Sequence, residues 1–292
     1  MASNHLVIDH DTFAERYPHR PFAVRHNLGS HPLFEISRLL ELQKALPPDK
    51  SEFYNGQVGV NEDRRLIPPT GLTAEETIRQ IRECKSWLVL KNVELDPTYR
   101  DLVMQCIEEL RPVVAHKSPG MRRYQGWIFI TSPGSIAPYH LDPEHNFLLQ
   151  IRGPKMVHVF DPNDRSLLSE NELEAYYNSG AAKGKLEFRE EYAKKDQAFA
   201  MGAGDGVYIP VSAPHWVKVE DDYSISFSIT YYCDEVYRRD RLYRFNVGLR
   251  RLGLTPTPYG RSPWRDGLKD SLISTYLKVR GLVGRKTGDE PL

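Results

Sequence analysis

Cysteine is scarce in this chain of 292 residues, and its pattern excludes two structural classes. The three cysteines, Cys84, Cys106 and Cys233, are odd in number, widely spaced and without a CxxC pair. A secreted disulfide framework and a zinc ribbon both need cysteines that pair, so neither is expected. A chain of this length can build a stable core without such cross-links. The cysteine usage therefore predicts a protein of a reducing compartment.

Long apolar runs and a net charge are also lacking. The longest apolar runs, such as residues 87–90, fall far short of the roughly 20 residues that a membrane helix needs. No basic stretch followed by an apolar core opens the chain, so a cytoplasmic location is expected. The 39 Lys and Arg balance the 39 Asp and Glu, which makes nucleic acid an unexpected partner. Residues 238–286 are a local exception, with thirteen Lys and Arg against three Asp.

The first third of the chain is predicted to be mostly helical. Residues 1–30 have no clear hydrophobic period and are expected to form an extended arm. Apolar residues at three- and four-residue spacing predict a helix over 33–46, which Pro47 and Pro48 end. Further along, the pattern predicts a polar loop to about residue 71, a helix over 73–84 with a capping box, a strand over 86–91 and a helix over 96–110.

From residue 123 to residue 233 the hydrophobic period changes towards two, which is typical of strands. The predicted strands cover 126–131, 147–152, 155–160, 206–209 and 224–232. Turn sequences separate them, and one helical insertion begins at a capping box of Ser169 and Glu172. Closely spaced strands joined by turns favour an antiparallel sandwich or barrel.

The chain after residue 233 is predicted to be helical to about residue 285. These helices are the expected contact if the chain forms a homodimer. No linker separates two independent domains, so residues 1–292 are predicted to form one domain with a β core over about 123–233. The predicted fold class is mainly β with flanking helices.

His140 and Asp142 are candidate metal ligands in the strand-rich region. Residues two apart on an extended chain point to the same face, so the imidazole and the carboxylate can converge. His215, in Pro214-His215-Trp216 at the far end of the region, is the candidate third ligand. Two histidines and one carboxylate suit one face of an octahedral Fe(II) and leave three positions for a cosubstrate and O2. The alternatives are a hydrogen-bonded pair at a strand end, and His145 as a competing ligand.

Lys155 is the candidate for binding an anion. It follows a predicted strand and a Gly153-Pro154 turn, at the start of the returning strand. A lysine that points into a barrel is unfavourable unless it is paired, and a dicarboxylate is a natural partner. The alternative is a lysine whose ammonium reaches water at a sheet edge.

The order of these motifs resembles that of the JmjC-type cupin oxygenases, in particular their small hydroxylase branch. That branch has HxD, then Asn, then Gln-Ile-x-Gly-x-Lys, then Gly-Asp-x-x-Tyr-x-Pro and His. In this chain the motifs fall in the same order between about residues 127 and 230, and their key residues are His140, Asp142, Asn146, Gln150, Lys155, Gly204, Asp205, Tyr208, Pro210 and His215. The resemblance implies a double-stranded β-helix, Fe(II) as the metal, 2-oxoglutarate as the cosubstrate and O2 as the oxidant.

The resemblance also implies a role for each site residue. His140, Asp142 and His215 would be the iron ligands, and Lys155 would pair with the distal carboxylate of 2-oxoglutarate. The expected neighbours of the cosubstrate are Asn146, a hydroxyl from Tyr124, and Thr230, which stands where the branch has a second Asn. One departure is Ala137, which stands where the branch has a cosubstrate-binding Thr. Thr131, Ser135 and Thr230 are the candidate replacements for that hydroxyl.

Three hypotheses for function follow. The leading one is an Fe(II)- and 2-oxoglutarate-dependent hydroxylase of an amino-acid side chain in a peptide or protein, with small molecules as alternative substrates. The second is a cupin that binds a metal or ligand without turnover, as a sensor or regulatory module. The third, a nucleic-acid-associated protein, depends only on the basic segment over 238–286.

Overall fold

The computed structural model describes residues 4–63, 66–179 and 186–283. They form two compact units. Unit 1 takes the described residues of 1–168 and 185–234, and unit 2 takes those of 169–184 and 235–292. The single domain predicted over 1–292 stays a prediction.

The strands all belong to unit 1 and form two antiparallel sheets. Among the described residues they are β1 (Leu6–Val7), β2 (Phe22–His26), β3 (Ser51–Asn55), β4 (Ser86–Lys91), β5 (Arg122–Thr131), β6 (Ile136–His140), β7 (His145–Arg152), β8 (Lys155–Val159), β9 (Gln197–Met201), β10 (Asp205–Ile209), β11 (His215–Val219) and β12 (Ser224–Tyr232). The large sheet has the order β1-β2-β10-β7-β12-β5-β4-β3, and the small sheet has the order β6-β11-β8-β9. The predicted jelly-roll core is confirmed.

The helices cover the large sheet and build unit 2. Those of unit 1 are α1 (His10–Arg16), α2 (Ile36–Ala45), α3 (Ala74–Arg79) and α4 (Pro97–Val114). The others are α5 (Glu170–Ser179), α6 (Asp234–Arg251) and α7 (Pro263–Val283). The predicted capping box is present at the start of α3. The Thr73 hydroxyl accepts from the backbone N–H of Glu76, and the Glu76 carboxylate accepts from the backbone N–H of Thr73. None of the described helices combines the length and apolarity needed to cross a membrane.

Strand β12 separates two environments within unit 1. Its residues Ile225, Phe227, Ile229 and Tyr231 are buried in the main apolar core with residues of α2 and α4. The alternate residues point to the opposite side of the sheet, towards the small sheet. A second, smaller core lies there and includes Leu148 of β7 and Val157 of β8. We call the space between the sheets the interior.

The extended arm predicted over residues 1–30 is wrong in two places. The seven residues His10–Arg16 form helix α1, and Asp9 caps it by accepting from the backbone N–H groups of Asp11 and Thr12. Residues of β2 form a strand that pairs with β10. Both elements are too short to show a period over a wide window, and their partners are distant in sequence.

Four other strands escape the sequence pattern. The predicted polar loop before residue 71 contains β3, which pairs with β4. Strands β6, β9 and β11 have no clear two-residue alternation of apolar and polar residues. Their conformation depends on pairing with each other and with β8, which a local pattern does not contain.

Gly153 forms the turn that leads from β7 to Lys155, and alanine at this position is expected to destabilise unit 1. The residue has a φ of 75°, and a Cβ there would lie 2.1 Å from the carbonyl oxygen of Tyr223. Left-handed backbone and steric overlap together predict a loss of roughly 2–5 kcal/mol in the free energy of unfolding. Urea denaturation of Gly153→Ala measures this loss. Gly59→Ala is the control, because a Cβ at Gly59 meets nothing within 4 Å; equal losses in both variants would contradict the prediction.

Candidate metal centre

Three ligand side chains converge where β6 ends and β11 begins. The register of the two strands places His140 directly opposite His215, with ring centroids 4.2 Å apart. Asp142 follows two residues after His140, and its Oδ2 lies 3.6 Å from Nε2 of His215. One ligand atom from each of the three residues lies within 4.8 Å of the others. The structure thus brings together the three predicted ligands.

Backbone carbonyls orient both imidazoles. Nδ1 of His140 lies 2.6 Å from the carbonyl oxygen of Pro138, and Nδ1 of His215 lies 3.0 Å from that of Ala213. A carbonyl only accepts hydrogen bonds, so each Nδ1 carries a proton, and in the neutral form of the ring Nε2 keeps a lone pair. This is the tautomer that a metal ligand needs, with its orientation set by a hydrogen bond outside the metal shell. The donor set therefore fits a divalent transition metal.

Backbone irregularities shape the strand ends around these ligands. The register of β6 and β11 shifts between His215 and Val217, because His215 pairs with His140 and Val217 pairs with Ala137. Three residues along β6 therefore match two residues along β11. Such a bulge re-aims side chains, and here it brings both His140 and Ala137 opposite residues of β11. Ser212 has a φ of 62°, and its N–H donates to the carbonyl oxygen of Asp142 at 2.8 Å. Backbone strain of this kind is common at functional sites.

Lys155 is buried between the two sheets, with an exposed fraction of 5%. Its ammonium donates to the hydroxyl of Ser226, which in turn donates to Oε1 of Gln150 at 2.8 Å. In the described part of the chain no carboxylate pairs with Lys155, and burial lowers the pKa of its amine to about 7. A buried lysine held only by a hydroxyl is costly, and an anionic ligand would relieve that cost.

Lys155 and His215 lie on the same face of the small sheet. His215 lies opposite Val159 in the register of β11 and β8. Lys155 precedes Val159 by four residues on β8, and an even separation along a strand puts side chains on the same face. Four residues of strand put their Cα atoms roughly 13 Å apart. The metal centre and the buried lysine therefore share the interior.

Asn146 and Thr230 also face the interior. They are paired on β7 and β12, and the Ser228 hydroxyl donates to Oδ1 of Asn146. The Thr230 hydroxyl is buried and has no hydrogen-bond partner among the described residues. This unpaired hydroxyl is available to form a hydrogen bond with a ligand. Their roles as neighbours of the cosubstrate stay predictions.

Two further interior residues, Ser226 and Ser228, were not predicted. They belong to a row of buried hydroxyls on β12, which we call the hydroxyl row: Ser224, Ser226, Ser228 and Thr230. The alternation of hydroxyl and apolar residues was visible in the sequence, but such alternation normally indicates a solvent-exposed face. Ser226 is the hydroxyl that contacts Lys155. Thr131, Ser135 and Thr230 as replacements for the cosubstrate-binding hydroxyl stay predictions.

Tyr124 does not join this group. It lies on the face of β5 that carries Ile128, and it packs against the main apolar core. Its hydroxyl donates to the carbonyl oxygen of Met121 at 2.8 Å and lies 3.2 Å from a guanidinium nitrogen of Arg111. The cosubstrate contact expected of Tyr124 therefore has no support in its position.

His145 does not compete as a ligand. Its Nδ1 lies 2.8 Å from the hydroxyl of Tyr208, and its ring stacks on Tyr231 at 4.9 Å. Both tyrosines belong to the main apolar core, on the other side of the large sheet. His145 is thus a core residue.

Glu144 is a buried acid close to the ligands that no sequence signal indicated. The hydroxyl of Tyr232 donates to its Oε2 at 3.1 Å. Burial raises the pKa of the Glu144 carboxyl, and the neighbouring charge of Asp142 raises it further. The surroundings of the metal centre therefore favour the protonated, neutral form of the Glu144 carboxyl.

Comparison with known families identifies the domain. Residues 70–237, more than half of the chain, match the family described as "Cupin-like domain". The chain belongs to the cupin-like domain family. The resemblance drawn from the motifs is thereby confirmed, and the core of this cupin-like protein has the architecture that it implied.

Curated relatives of the cupin-like protein carry JmjC-type names. It is 26% identical over 103 residues to lysine-specific demethylase 8 of Danio rerio, covering 34% of this chain and 25% of the relative. It is 30% identical over 115 residues to Jumonji C domain-containing protein 5 of Drosophila melanogaster, covering 38% and 28%. The chain thus spans about a quarter of the length of these relatives.

Solved structures share the fold of the cupin-like protein. The Escherichia coli protein YcfD superposes with a TM-score of 0.51 at 16% identity, covering 94% of this chain and 68% of that one. YcfD, described as a ribosomal oxygenase, in complex with cobalt and 2-oxoglutarate gives a TM-score of 0.50 at 16% identity, covering 95% and 68%. At this identity the likeness shows a common fold.

Proposed function

We propose that this cupin-like protein is an Fe(II)- and 2-oxoglutarate-dependent oxygenase. It hydroxylates a C–H bond, with an amino-acid side chain of a peptide or protein as the first substrate class and a small molecule as the second. The observation that carries the proposal is the pairing, in one interior, of an open metal-ligand set with a buried lysine that has only a hydroxyl partner. An anionic, metal-chelating cosubstrate satisfies both features at once.

His140, Asp142 and His215 are the residues that would hold Fe(II). Their neutral imidazoles and single carboxylate leave coordination positions open. Iron, O2 and 2-oxoglutarate supply the oxidising chemistry when bound, and the reaction yields succinate, CO2 and a hydroxylated product. The protein positions the C–H bond and excludes water from the interior.

Lys155 would pair with the distal carboxylate of 2-oxoglutarate. The hydroxyl of Ser226 holds the ammonium in place and leaves its other N–H donors for the ligand. Asn146 and the orphaned hydroxyl of Thr230 would offer further polar contacts. Support comes from YcfD, which has the same fold and was solved with cobalt and 2-oxoglutarate.

The charge pattern of unit 2 supports a peptide or small-molecule substrate over nucleic acid. Arg238 and Arg241 of the basic segment both pair with Asp270, and Arg250 pairs with Glu174. Internal pairing of this kind reduces the charge that these three arginines offer to a phosphate backbone. The cytoplasmic location and the homodimer through the C-terminal helices, both expected from the sequence, stay predictions.

Ala137 favours one alternative, a cupin that binds metal and ligand without turnover. It lies opposite Val217 and brings a methyl group to a position where the resembling branch has a hydroxyl. Loss of that hydroxyl would weaken binding of the cosubstrate more than binding of the metal.

Anaerobic titration of 2-oxoglutarate into the Fe(II)-loaded protein tests the proposal. A weak visible charge-transfer band is expected as the keto acid chelates the metal, and Asp142→Ala is the control in which the band should vanish. Succinate formation under O2 then reports turnover. A protein that binds Fe(II) yet shows no band would contradict the oxygenase and favour the binding module.

A further inference from the structure

Gln150 is a completely buried amide of the interior, with an exposed fraction of 0%. It belongs to β7, and the resemblance implied no role for it. Leu149 and Ile151 on either side of it are buried in the main apolar core, so the side chain of Gln150 points to the opposite face of the large sheet. A buried amide needs partners for its nitrogen and for its oxygen, and these partners show what it does.

The amide nitrogen of Gln150 is held by the turn between β7 and β8. Nε2 donates to the carbonyl oxygens of Arg152 at 2.6 Å and Gly153 at 2.8 Å, and to the hydroxyl oxygen of Ser224 at 2.9 Å. A carbonyl only accepts, so a flipped amide would bring its own oxygen against two other oxygens. The partners of Nε2 therefore determine the orientation of the amide, and Oε1 faces Ser226.

This orientation decides the direction of the hydrogen bonds made by Ser226. Its hydroxyl has one proton, which it donates to Oε1 of Gln150 at 2.8 Å. If the proton turned towards Lys155, Oε1 would be buried without a donor among the described residues. Towards Lys155 the hydroxyl therefore offers only lone pairs, and the amine donates to it. We call the chain Gln150–Ser226–Lys155 the relay.

The direction of the relay favours the charged form of Lys155. A neutral amine has a lone pair that needs a donor, whereas an ammonium only donates. Because the Ser226 proton is used by Gln150, the relay has no donor for that lone pair. Burial opposes the charged form and lowers the pKa of the amine to about 7. The relay thus acts against the effect of burial.

The surroundings of Lys155 contain no charged group that could replace the relay. Its neighbours in the small sheet are Val219 on β11 and Met201 on β9, which are both apolar. Across the interior it meets Ser226 on β12, with Gln150 of β7 behind it. In the part of the chain that the structure describes, burial alone shifts the pKa of Lys155. The relay therefore supplies the polar groups that can adjust its protonation.

We infer that Gln150 is a positioning residue for the cosubstrate, because through Ser226 it holds Lys155 as an ammonium that faces the distal carboxylate. This role rests on the proposed function, which assigns that carboxylate to Lys155. An ammonium has three N–H groups, and Ser226 accepts from one of them. Since the Ser226 proton is used by Gln150, the distal end of the cosubstrate has to bring acceptors and negative charge. The relay thus selects a dicarboxylate over a monocarboxylate.

Nuclear magnetic resonance of the ligand-free protein tests whether Gln150 acts on Lys155. Lysine labelled with ¹³C at Cε reports the pKa of each amine, and the signal that Lys155→Met removes belongs to Lys155. Gln150→Met is expected to lower this pKa by about one pH unit or more, because the freed Ser226 hydroxyl can donate to the neutral amine. Gln105→Met is the control, at an exposed glutamine of α4. An unchanged pKa in Gln150→Met would overturn the inference.

A double-mutant cycle separates the relay from a merely structural role of Gln150. Ser226→Ala removes the link, so Gln150→Met should have no further effect on the pKa of Lys155 in that background. If Gln150 only holds the turn, its loss should shift the pKa equally with and without the Ser226 hydroxyl, and the relay would be refuted.

Gln150→Glu is the conservative variant and keeps the test decisive if Gln150→Met does not fold. A carboxyl group at this position still offers an oxygen to Ser226, so the pKa of Lys155 should not fall. A lowered pKa of Lys155 in this variant would contradict the relay.

Cosubstrate binding tests the consequence for the dicarboxylate. Anaerobic titrations of the Fe(II)-loaded protein compare 2-oxoglutarate with 2-oxopentanoate, which has a methyl group in place of the distal carboxylate. Both have the same keto acid end, so the ratio of their affinities cancels the titration of the metal centre. In the wild type the preference for 2-oxoglutarate should decline as pH rises above about 7. In Gln150→Met the preference should be about 10-fold smaller than in the wild type at about pH 8 and similar to it near pH 6.

The outcomes of these titrations distinguish the role of Gln150 from the proposed function. A wild type that binds neither acid, or binds both equally, would overturn the proposed function together with the role given to Gln150. A wild type that prefers 2-oxoglutarate, with the same preference in Gln150→Met at about pH 8, would overturn the role of Gln150 alone.

Discussion

Replacing Lys155 with methionine is expected to stabilise the ligand-free protein and to abolish its binding of 2-oxoglutarate. Methionine fills a similar volume without an ammonium group, so the burial penalty disappears. The depressed pKa of about 7, against an ordinary 10.5, predicts a gain of a few kcal/mol at about 1.4 kcal/mol per pKa unit. The same substitution removes the cation that the proposed cosubstrate needs. Stability and function would then change in opposite directions, as is common at binding sites.

The pH dependence of this gain has a definite sign. Below pH 7 the folded and unfolded chains both carry the proton on Lys155, and the penalty is complete. Between pH 7 and 10.5 the folded chain has lost the proton while the unfolded chain keeps it, so the wild type becomes more stable as pH rises. Urea denaturation at several pH values should show the advantage of Lys155→Met shrinking across this window. Lys218→Met, at an exposed lysine of β11, is the control; a constant difference, or a less stable Lys155→Met, would argue against an unpaired buried ammonium.

Replacing Asp142 with alanine is expected to abolish Fe(II)-dependent turnover without unfolding the protein. The carboxylate is the single anionic member of the proposed ligand set. Its loss should lower Fe(II) affinity by at least about 100-fold, because removing a residue that only orients a ligand already lowers metal affinity by about 10–100-fold. Its side chain is 29% exposed and belongs to neither apolar core. Its removal also takes a negative charge away from the buried Glu144.

Competition with a chromophoric chelator under anaerobic conditions measures the Fe(II) affinity, and succinate formation measures turnover. Asp221→Ala, at an exposed loop carboxylate, should behave as the wild type in both assays. Full turnover in Asp142→Ala would show that the metal is held elsewhere.

The sequence predicted best those elements whose signals are local. The predicted strands over 86–91 and 224–232 coincide with β4 and β12, since both have dense β-branched, aromatic or alternating residues. The proline and the aspartate cap at the start of α4 marked its first turn correctly. Strands β6 and β11 were missed because their conformation depends on each other, yet they carry two of the three candidate ligands.

The candidate site was predictable where a motif named the residues, and less so where burial decides their role. His140, Asp142 and His215 meet as the motif implied. The contact expected of Tyr124 lacks support because a shift of one residue moves a side chain to the other face of a sheet, and the sequence does not show which face of β5 is the interior. Ser226 and Glu144 were not singled out because only the tertiary structure reveals that they are buried.

Substitutions on the two sides of β12 are expected to have different consequences. Its apolar side is part of the main core, where most substitutions reduce stability, whereas the hydroxyl row lines the interior, where substitutions would alter contacts with the proposed cosubstrate. Point mutations at alternate positions can therefore change ligand preference while the core stays intact. An insertion or deletion of one residue would exchange the two sides and damage both together. We therefore expect β12 to tolerate substitutions in its hydroxyl row better than a change in its length.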